Sequence, residues 1–345
     1  MTIRHDFFIQ WHLTERCNLR CSHCYQGITD GKEMSFSEIC ETVEEVKDTI
    51  DDWERTYGVG FSKSFNVTGG EPFLREDLFK ILEVMGGHDF EIFVLSNGVL
   101  IDKTKAEGLS ALGVKGVQVS LEGPEEVHDR IRGKGSFARS MKGVGHLISS
   151  GLTVTLNVTL SNLNAPYISE LVALARDAGA PRLGFSRLVP CGRGRQLQSE
   201  MMDKNRVRDI YRFLLSVQAE GLEIVTGDPV ASQMELKSNT DMGYTACSGC
   251  AAGISGLTLR PDGTINPCRR LDIPVGNIRT DSLREVWATS EVLNSLRDKS
   301  RYGGKCGACA RWAVCRGCRA VAYAYSRLKG GADFLAEDPQ CFIEE

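Results

Sequence analysis

The chain has 345 residues, 42% of them apolar and 25% charged, with a formal net charge of −4. That balance gives no global pull toward nucleic acid or an anionic membrane surface, and the length accommodates one large domain and a smaller one. The N-terminal MTIRHDFFIQWH lacks the basic, apolar and small-residue succession of a signal peptide, and no run of 18 apolar residues exists, so a cytoplasmic protein with no membrane or nucleic-acid partner is expected. Thirteen cysteines in that reducing compartment read as metal ligands, not as disulfides.

The first strand-like run, FFIQWHLT, gives way to CNLRCSHCY, which spaces Cys17, Cys21 and Cys24 as CxxxCxxC. Three thiolates hold three irons of a cubane and leave the fourth open to another ligand, whereas four-cysteine sites close the cluster. Zinc is the competing reading, although it favours paired CxxC knuckles. The next strand-like run, SFNVT, enters Gly69-Gly70-Glu71-Pro72. There the glycines are expected to let backbone approach a ligand, and Glu71 to accept from an ammonium.

Further strands are expected in EIFVLSN, GVQVSLE, TVTLNVTL and RLGFSRLV, with helical patterns over 36–57, 75–86, 102–112, 136–150, 166–179 and 200–220. Six β/α units predict an α/β fold with a parallel sheet, helices outside, and binding residues at the C-terminal strand ends. Ser96 and Asn97 close the third strand, Ser120 and Glu122 the fourth; Asn157 lies in the fifth, and Arg132 sits in the turn-like IRGKGSF. Arg187 on the sixth strand is a candidate for a ligand carboxylate, by the charge-assisted pairing arginine favours. Cys191, in LVPCGRGR beyond that strand, belongs at the barrel mouth, either as a hydrogen-atom donor or as a bystander thiol. Cys40 reads as a buried thiol on the core face of the first helix.

Past residue 220 the texture changes. Cys247, Cys250, Cys268, Cys306, Cys309, Cys315, Cys318 and Cys341 fall within 95 residues. GLTLRPDGTINPC reads as a hairpin turning at Asp262-Gly263. The segment VGNIRTDSLREVWATSEVLNSLR reads as one helix with Leu283, Val286, Trp287 and Leu293 on a single face. Residues 1–220, 221–246 and 247–345 are therefore expected as barrel, bridging region and cysteine-rich domain. Spacing alone allows two zinc ribbons or two iron–sulfur sites, and it allows Cys315 and Cys318 to share one of them.

The CxxxCxxC loop and the GGEP run 45 residues after Cys24 resemble the radical S-adenosylmethionine (SAM) superfamily. The later cysteines resemble its SPASM branch, whose spacing is C-x(9–15)-G-x4-C followed by C-x2-C-x5-C-x3-C and a final cysteine; two residues separate Cys315 from Cys318 where the family has three. The resemblance implies a partial (β/α)6 radical SAM barrel with a C-terminal SPASM domain. It also implies three [4Fe–4S] clusters: one on Cys17, Cys21 and Cys24, one on Cys247, Cys250, Cys268 and Cys318, and one on Cys306, Cys309, Cys315 and Cys341. SAM would be bound by Gly69, Gly70, Glu71, Ser96, Asn97, Ser120, Glu122, Arg132, Asn157 and Arg187, with Tyr25 near the adenine. Reductive SAM cleavage to a 5'-deoxyadenosyl radical is implied, with oxidative crosslinking of a ribosomal precursor peptide as the expected outcome. A flavodoxin- or ferredoxin-type reductant would serve it, and a separate leader-recognition protein is expected because only sixteen residues precede Cys17. The alternatives are a tetrapyrrole-modifying enzyme, a peptide epimerase, a sulfatase-maturing enzyme, or a non-catalytic iron–sulfur electron carrier.

Overall fold

The computed structural model describes residues 4–26, 32–231, 234 and 249–343. Six parallel strands form the expected core: β1 (Arg4–His12), β2 (Gly60–Thr68), β3 (Glu91–Ser96), β4 (Gly116–Ser120), β5 (Val154–Leu160) and β6 (Arg182–Arg187). The sheet does not stop there. β7 (Glu223–Thr226) adds in parallel beside β6, and β8 (Gly256–Leu259) adds in parallel beside β1 with Phe8 opposite Gly256. β9 (Thr264–Asn266) and β10 (Gly276–Asn277) follow antiparallel, giving a ten-stranded sheet in the order β10-β9-β8-β1-β2-β3-β4-β5-β6-β7. The cysteine-rich region therefore begins as an extension of the barrel sheet, and the segment expected to bridge supplies an edge strand.

The helices lie outside, each burying one stripe. α1 (Phe36–Tyr57) starts at a reciprocal capping box between Ser35 and Glu38 and stops at Gly58 in the left-handed region. Ile39, Val43, Val46, Ile50 and Trp53 are its buried face, whereas Cys40 is half-buried on the flank instead of within the stripe. α2 (Leu78–Gly87), α3 (Lys103–Ala111), α4 (Glu125–Arg132), α5 (Ser136–Ser149), α6 (Ile168–Asp177) and α7 (Lys204–Ser216) complete the layer. Val67, Val94, Val119, Leu156, Leu183 and Leu257 from successive strands share one buried core with them. The single helix expected over 275–297 is two, α8 (Leu283–Thr289) and α9 (Glu291–Arg297). They are broken at Ser290, whose extended backbone ends the first and whose hydroxyl accepts from the Leu293 N–H to cap the second. After α10 (Gly304–Ala308) come the last cysteines and α11 (Arg319–Leu328). Among the described residues no helix is long and apolar enough to cross a membrane.

Candidate active site

The loop leaving β1 carries Cys17, Cys21 and Cys24 across the C-terminal strand ends, and neighbouring segments hold it through backbone. The Gly70 N–H donates to Thr14 O at 2.7 Å and the Glu71 N–H to Arg16 O at 2.8 Å. A Cβ on Gly69 would lie 2.6 Å from Thr14 O, and one on Gly70 2.2 Å from Arg16 O. Both glycines thus admit the cysteine loop itself, in addition to lining the cavity beside it. From the other side the Gly194 N–H donates to Cys24 O at 3.0 Å, Arg193 Nε donates to Cys21 O at 3.1 Å, and Gly192, with φ +54°, sits where a Cβ would meet Tyr25 O at 2.4 Å. We predict that Gly70→Ala, which puts a methyl against rigid backbone, costs at least about 1–3 kcal/mol. It should also reduce the iron retained after reconstitution; unchanged thermal unfolding and iron content would show that the loop tolerates displacement.

A cavity of about 130 Å³ opens above the sheet, lined by the three cysteines, Tyr25, Gly69, Gly70, Ser96, Asn97, Ser120, Arg132 and Asn157. The structure thereby brings most of the residues expected at a SAM site around one space. Three expected residues lie elsewhere, each because its side chain is already engaged. Glu71 is fully buried beneath the floor, accepting from Ser96 Oγ at 2.8 Å and the Asn97 N–H at 2.9 Å; burial lifts its carboxyl to about 7 against the pull of those hydrogen bonds. Glu122, also fully buried, accepts from Arg132 Nε at 2.9 Å and the Thr159 N–H at 3.0 Å, and lies 3.1 Å from His23 Nε2. Burial alone would raise its pKa, yet Arg132 and His23 hold it well below the carboxylate range. It positions Arg132, which in turn is 3.8 Å from Cys21 Sγ.

Arg187 corrects the expectation most sharply. Its side chain is inaccessible to solvent, and its guanidinium is shared between Asp228 and Asp338, with Nε to Asp228 Oδ2 at 2.8 Å and Nη2 to Asp338 Oδ2 at 2.7 Å. No face is left for a ligand carboxylate. Cys191 lines a different space from the cavity above the sheet, beside Arg270 and Asp272, and burial pushes its thiol up to about 12.

The cysteines past residue 220 separate into two places. Cys250, Cys268 and Cys318 line one chamber of about 360 Å³ inside the barrel. Cys306, Cys309, Cys315 and Cys341 line a small cavity of about 30 Å³ with Trp312 and Ile343. Cys247 lies outside the described residues. The donor sets suit iron–sulfur ligation, because N–H groups point at sulfur: Leu19 N to Cys17 at 3.5 Å, Arg311 N to Cys309 at 3.4 Å, Gly317 N to Cys315 at 3.4 Å and Arg319 Nη2 to Cys306 at 3.7 Å. Among the described residues no three His, Cys, Asp or Glu side chains are arranged to hold a single metal ion.

A parallel α/β barrel with a three-cysteine loop over its strand ends, walled by further cysteines, defines a protein built for iron–sulfur chemistry at an open cofactor pocket. The family comparisons agree: the radical SAM superfamily matches residues 11–179 and the SPASM iron–sulfur cluster-binding domain matches residues 223–319. The chain is 32% identical to the AdoMet-dependent heme synthase of Methanosarcina barkeri, over 96% of this chain and 95% of that protein. It is 31% identical to a mycofactocin maturase of Mycolicibacterium smegmatis, over 96% and 82%. In fold it matches Streptococcus suis SuiB bound to the precursor peptide SuiA, with TM-score 0.75 and 18% identity over 99% of this chain and 77% of that one. The chain belongs to the radical SAM superfamily and carries a SPASM domain.

Arg193, Arg269 and Arg270, all at the cavity, were not among the expected site residues. Their signal was present in the arginines that flank chemistry-bearing positions, CGRGR after the sixth strand and CRR at Cys268.

Proposed function

We propose that the protein is an oxidative radical SAM enzyme whose substrate lies between the SAM pocket and the C-terminal cysteines. One observation carries this. The cavity over the three-cysteine loop and the chamber walled by Cys250, Cys268 and Cys318 share Leu95, Gln118, Asn157, Ser186, Arg269 and Arg270. A substrate lying across that shared wall meets the SAM side at one end and an electron-accepting side at the other. A cluster held on Cys17, Cys21 and Cys24 would supply the electron for reductive SAM cleavage, and clusters held by the C-terminal cysteines would take up the electron released by substrate oxidation.

Ser96, Asn97, Ser120, Arg132 and Asn157 are our proposed SAM contacts, with Tyr25 at the adenine. Glu122 acts by fixing Arg132, and Glu71 by fixing Ser96 and Asn97. The two cysteine groupings support one auxiliary cluster on Cys250, Cys268 and Cys318 with Cys247, and another on Cys306, Cys309, Cys315 and Cys341. A flavodoxin or ferredoxin in the cytoplasm would supply electrons.

For the substrate we place a tetrapyrrole first, on the near-complete alignment with the heme synthase. The expected ribosomal precursor peptide, with a separate leader-recognition protein, is the second reading, favoured by the similarity to the mycofactocin maturase. Anaerobically reconstituted protein should contain about 12 iron and 12 sulfide per chain, the count for three cubanes. About four iron with stoichiometric zinc would overturn the auxiliary-cluster assignment.

A further inference from the structure

Beyond Tyr25 the cavity over the cysteine loop opens into a third chamber of about 530 Å³, bounded by the 190–195 loop, the 269–272 turn and α11. Seven of its fifteen lining residues are arginines, among them Arg20, Arg195, Arg260, Arg270 and Arg327, and Asp272 is the one acid that lines it. Among the described residues only one of these seven has a carboxylate within 4 Å, Arg260 with Glu15 at 3.4 Å. Four of the others lean on neutral groups: Arg193 Nε on Cys21 O at 3.1 Å, Arg270 Nη1 on Arg187 O at 3.1 Å, Arg327 Nη1 on Tyr323 Oη at 3.2 Å, and Arg269 over the Tyr25 ring at 5.7 Å. Arg270 Nε is buried with no hydrogen-bond partner among the described residues.

Like charges crowded around one concave space repel each other and make it strongly positive, and a chain gains nothing in stability from keeping them there. SAM does not balance them, since it brings a single carboxylate alongside its cationic sulfonium. The Cys268 and Cys318 thiolates offset Arg269 and Arg270 in part, whereas Arg20, Arg195 and Arg327 have no carboxylate within 4 Å among the described residues. Arg269 and Arg270 also line the other two chambers, so an anion held by them sits where the SAM pocket meets the cysteine-walled chamber.

We propose that this arginine-lined chamber is a recognition site for a polycarboxylate of macrocycle size, whose acid groups pair with the guanidinium forks while its body reaches the wall shared with the SAM pocket. The inference rests on the reading that substrate is oxidised between that pocket and the C-terminal cysteines, and it adds where the acid groups of such a substrate are held and which side chains hold them. Guanidinium–carboxylate pairing is bidentate and charge-assisted, so removing either partner should weaken binding by about tenfold or more.

The test uses reconstituted full-length protein and coproporphyrin III, which carries four carboxylates, followed by absorbance and fluorescence titration. The expected result is saturable binding at least about tenfold tighter than that of the tetramethyl ester, weakening as salt is raised. The Arg195→Gln/Arg327→Gln double variant should lose affinity by a similar factor. Absent binding, equal binding of the ester, an unaffected double variant, or inorganic pyrophosphate displacing the porphyrin from a higher-affinity site would each overturn the proposal. Cleavage of SAM by the wild-type protein under strong reductant with no porphyrin added reports the parent reading separately, so the two can fail independently.

Discussion

Replacing Arg187 by Met should destabilise the protein by about 3–5 kcal/mol at neutral pH, the cost of leaving buried charge without its partner, and lower the unfolding temperature by roughly 4–7 °C. Arg187 makes five side-chain hydrogen bonds, to Asp228, Asp338 and Gln340. Asp338 Oδ2 also accepts from the Cys318 N–H at 2.8 Å, and Gln340 Nε2 donates to Met202 O at 2.7 Å. The network therefore pins β6, the segment at Asp228, the loop entering α11 and the C-terminal stretch to one point, with Cys318 at its edge.

The pH dependence has a definite sign. Burial would raise the Asp338 pKa, but Arg187 and the N–H donors hold it below its ordinary value. In the wild type that stabilisation is present above about pH 4, the ordinary Asp value, and is lost as pH falls through the depressed folded pKa. In Arg187→Met the Asp338 carboxyl is buried without its cation, so its pKa rises and protonation favours the folded state. The stability gap between wild type and variant should thus narrow from pH 7 toward pH 4.5. A drop in unfolding temperature that is small at pH 7, or equal at both pH values, would contradict this role.

The elements legible in the sequence are those whose signals are local. α1 runs from Phe36 to Tyr57 as its stripe and its Ser35–Glu38 cap dictate, and the six barrel strands are apolar runs between turn residues. α4 was missed because Gly133 and Gly135, with φ +116° and +72°, make IRGKGSF read as a turn, although Arg132 is still the last residue of the helix. The hairpin over Gly256–Asn266 was legible as a hairpin, while its docking on β1 was not, since nothing local says which edge it joins.

The site shows the same division. Cysteine spacing fixed which thiols cluster near the N-terminus but left the C-terminal pairing open, and packing around α10 and α11 separates Cys315 from Cys318. Arg187 looked available because its partners Asp228 and Asp338 are 41 and 151 residues away. Glu71 and Glu122 sit in the right motif and beside the right strands, yet they act one layer beneath the cavity. A one-dimensional pattern records that a carboxylate is near a pocket, not whether its oxygens are already taken.

The most direct test of the central claim compares wild type with the Cys17→Ala/Cys21→Ala/Cys24→Ala variant for 5'-deoxyadenosine formed from SAM under anaerobic, strongly reducing conditions. These thiols are the only described cysteines on the loop that faces Gly70, Asn97 and Arg132, so the wild type should produce 5'-deoxyadenosine and the variant none. About four iron per chain should be lost while the C-terminal sites keep theirs. SAM left intact by a fully loaded wild type, or cleaved as readily by the triple variant, would contradict the account.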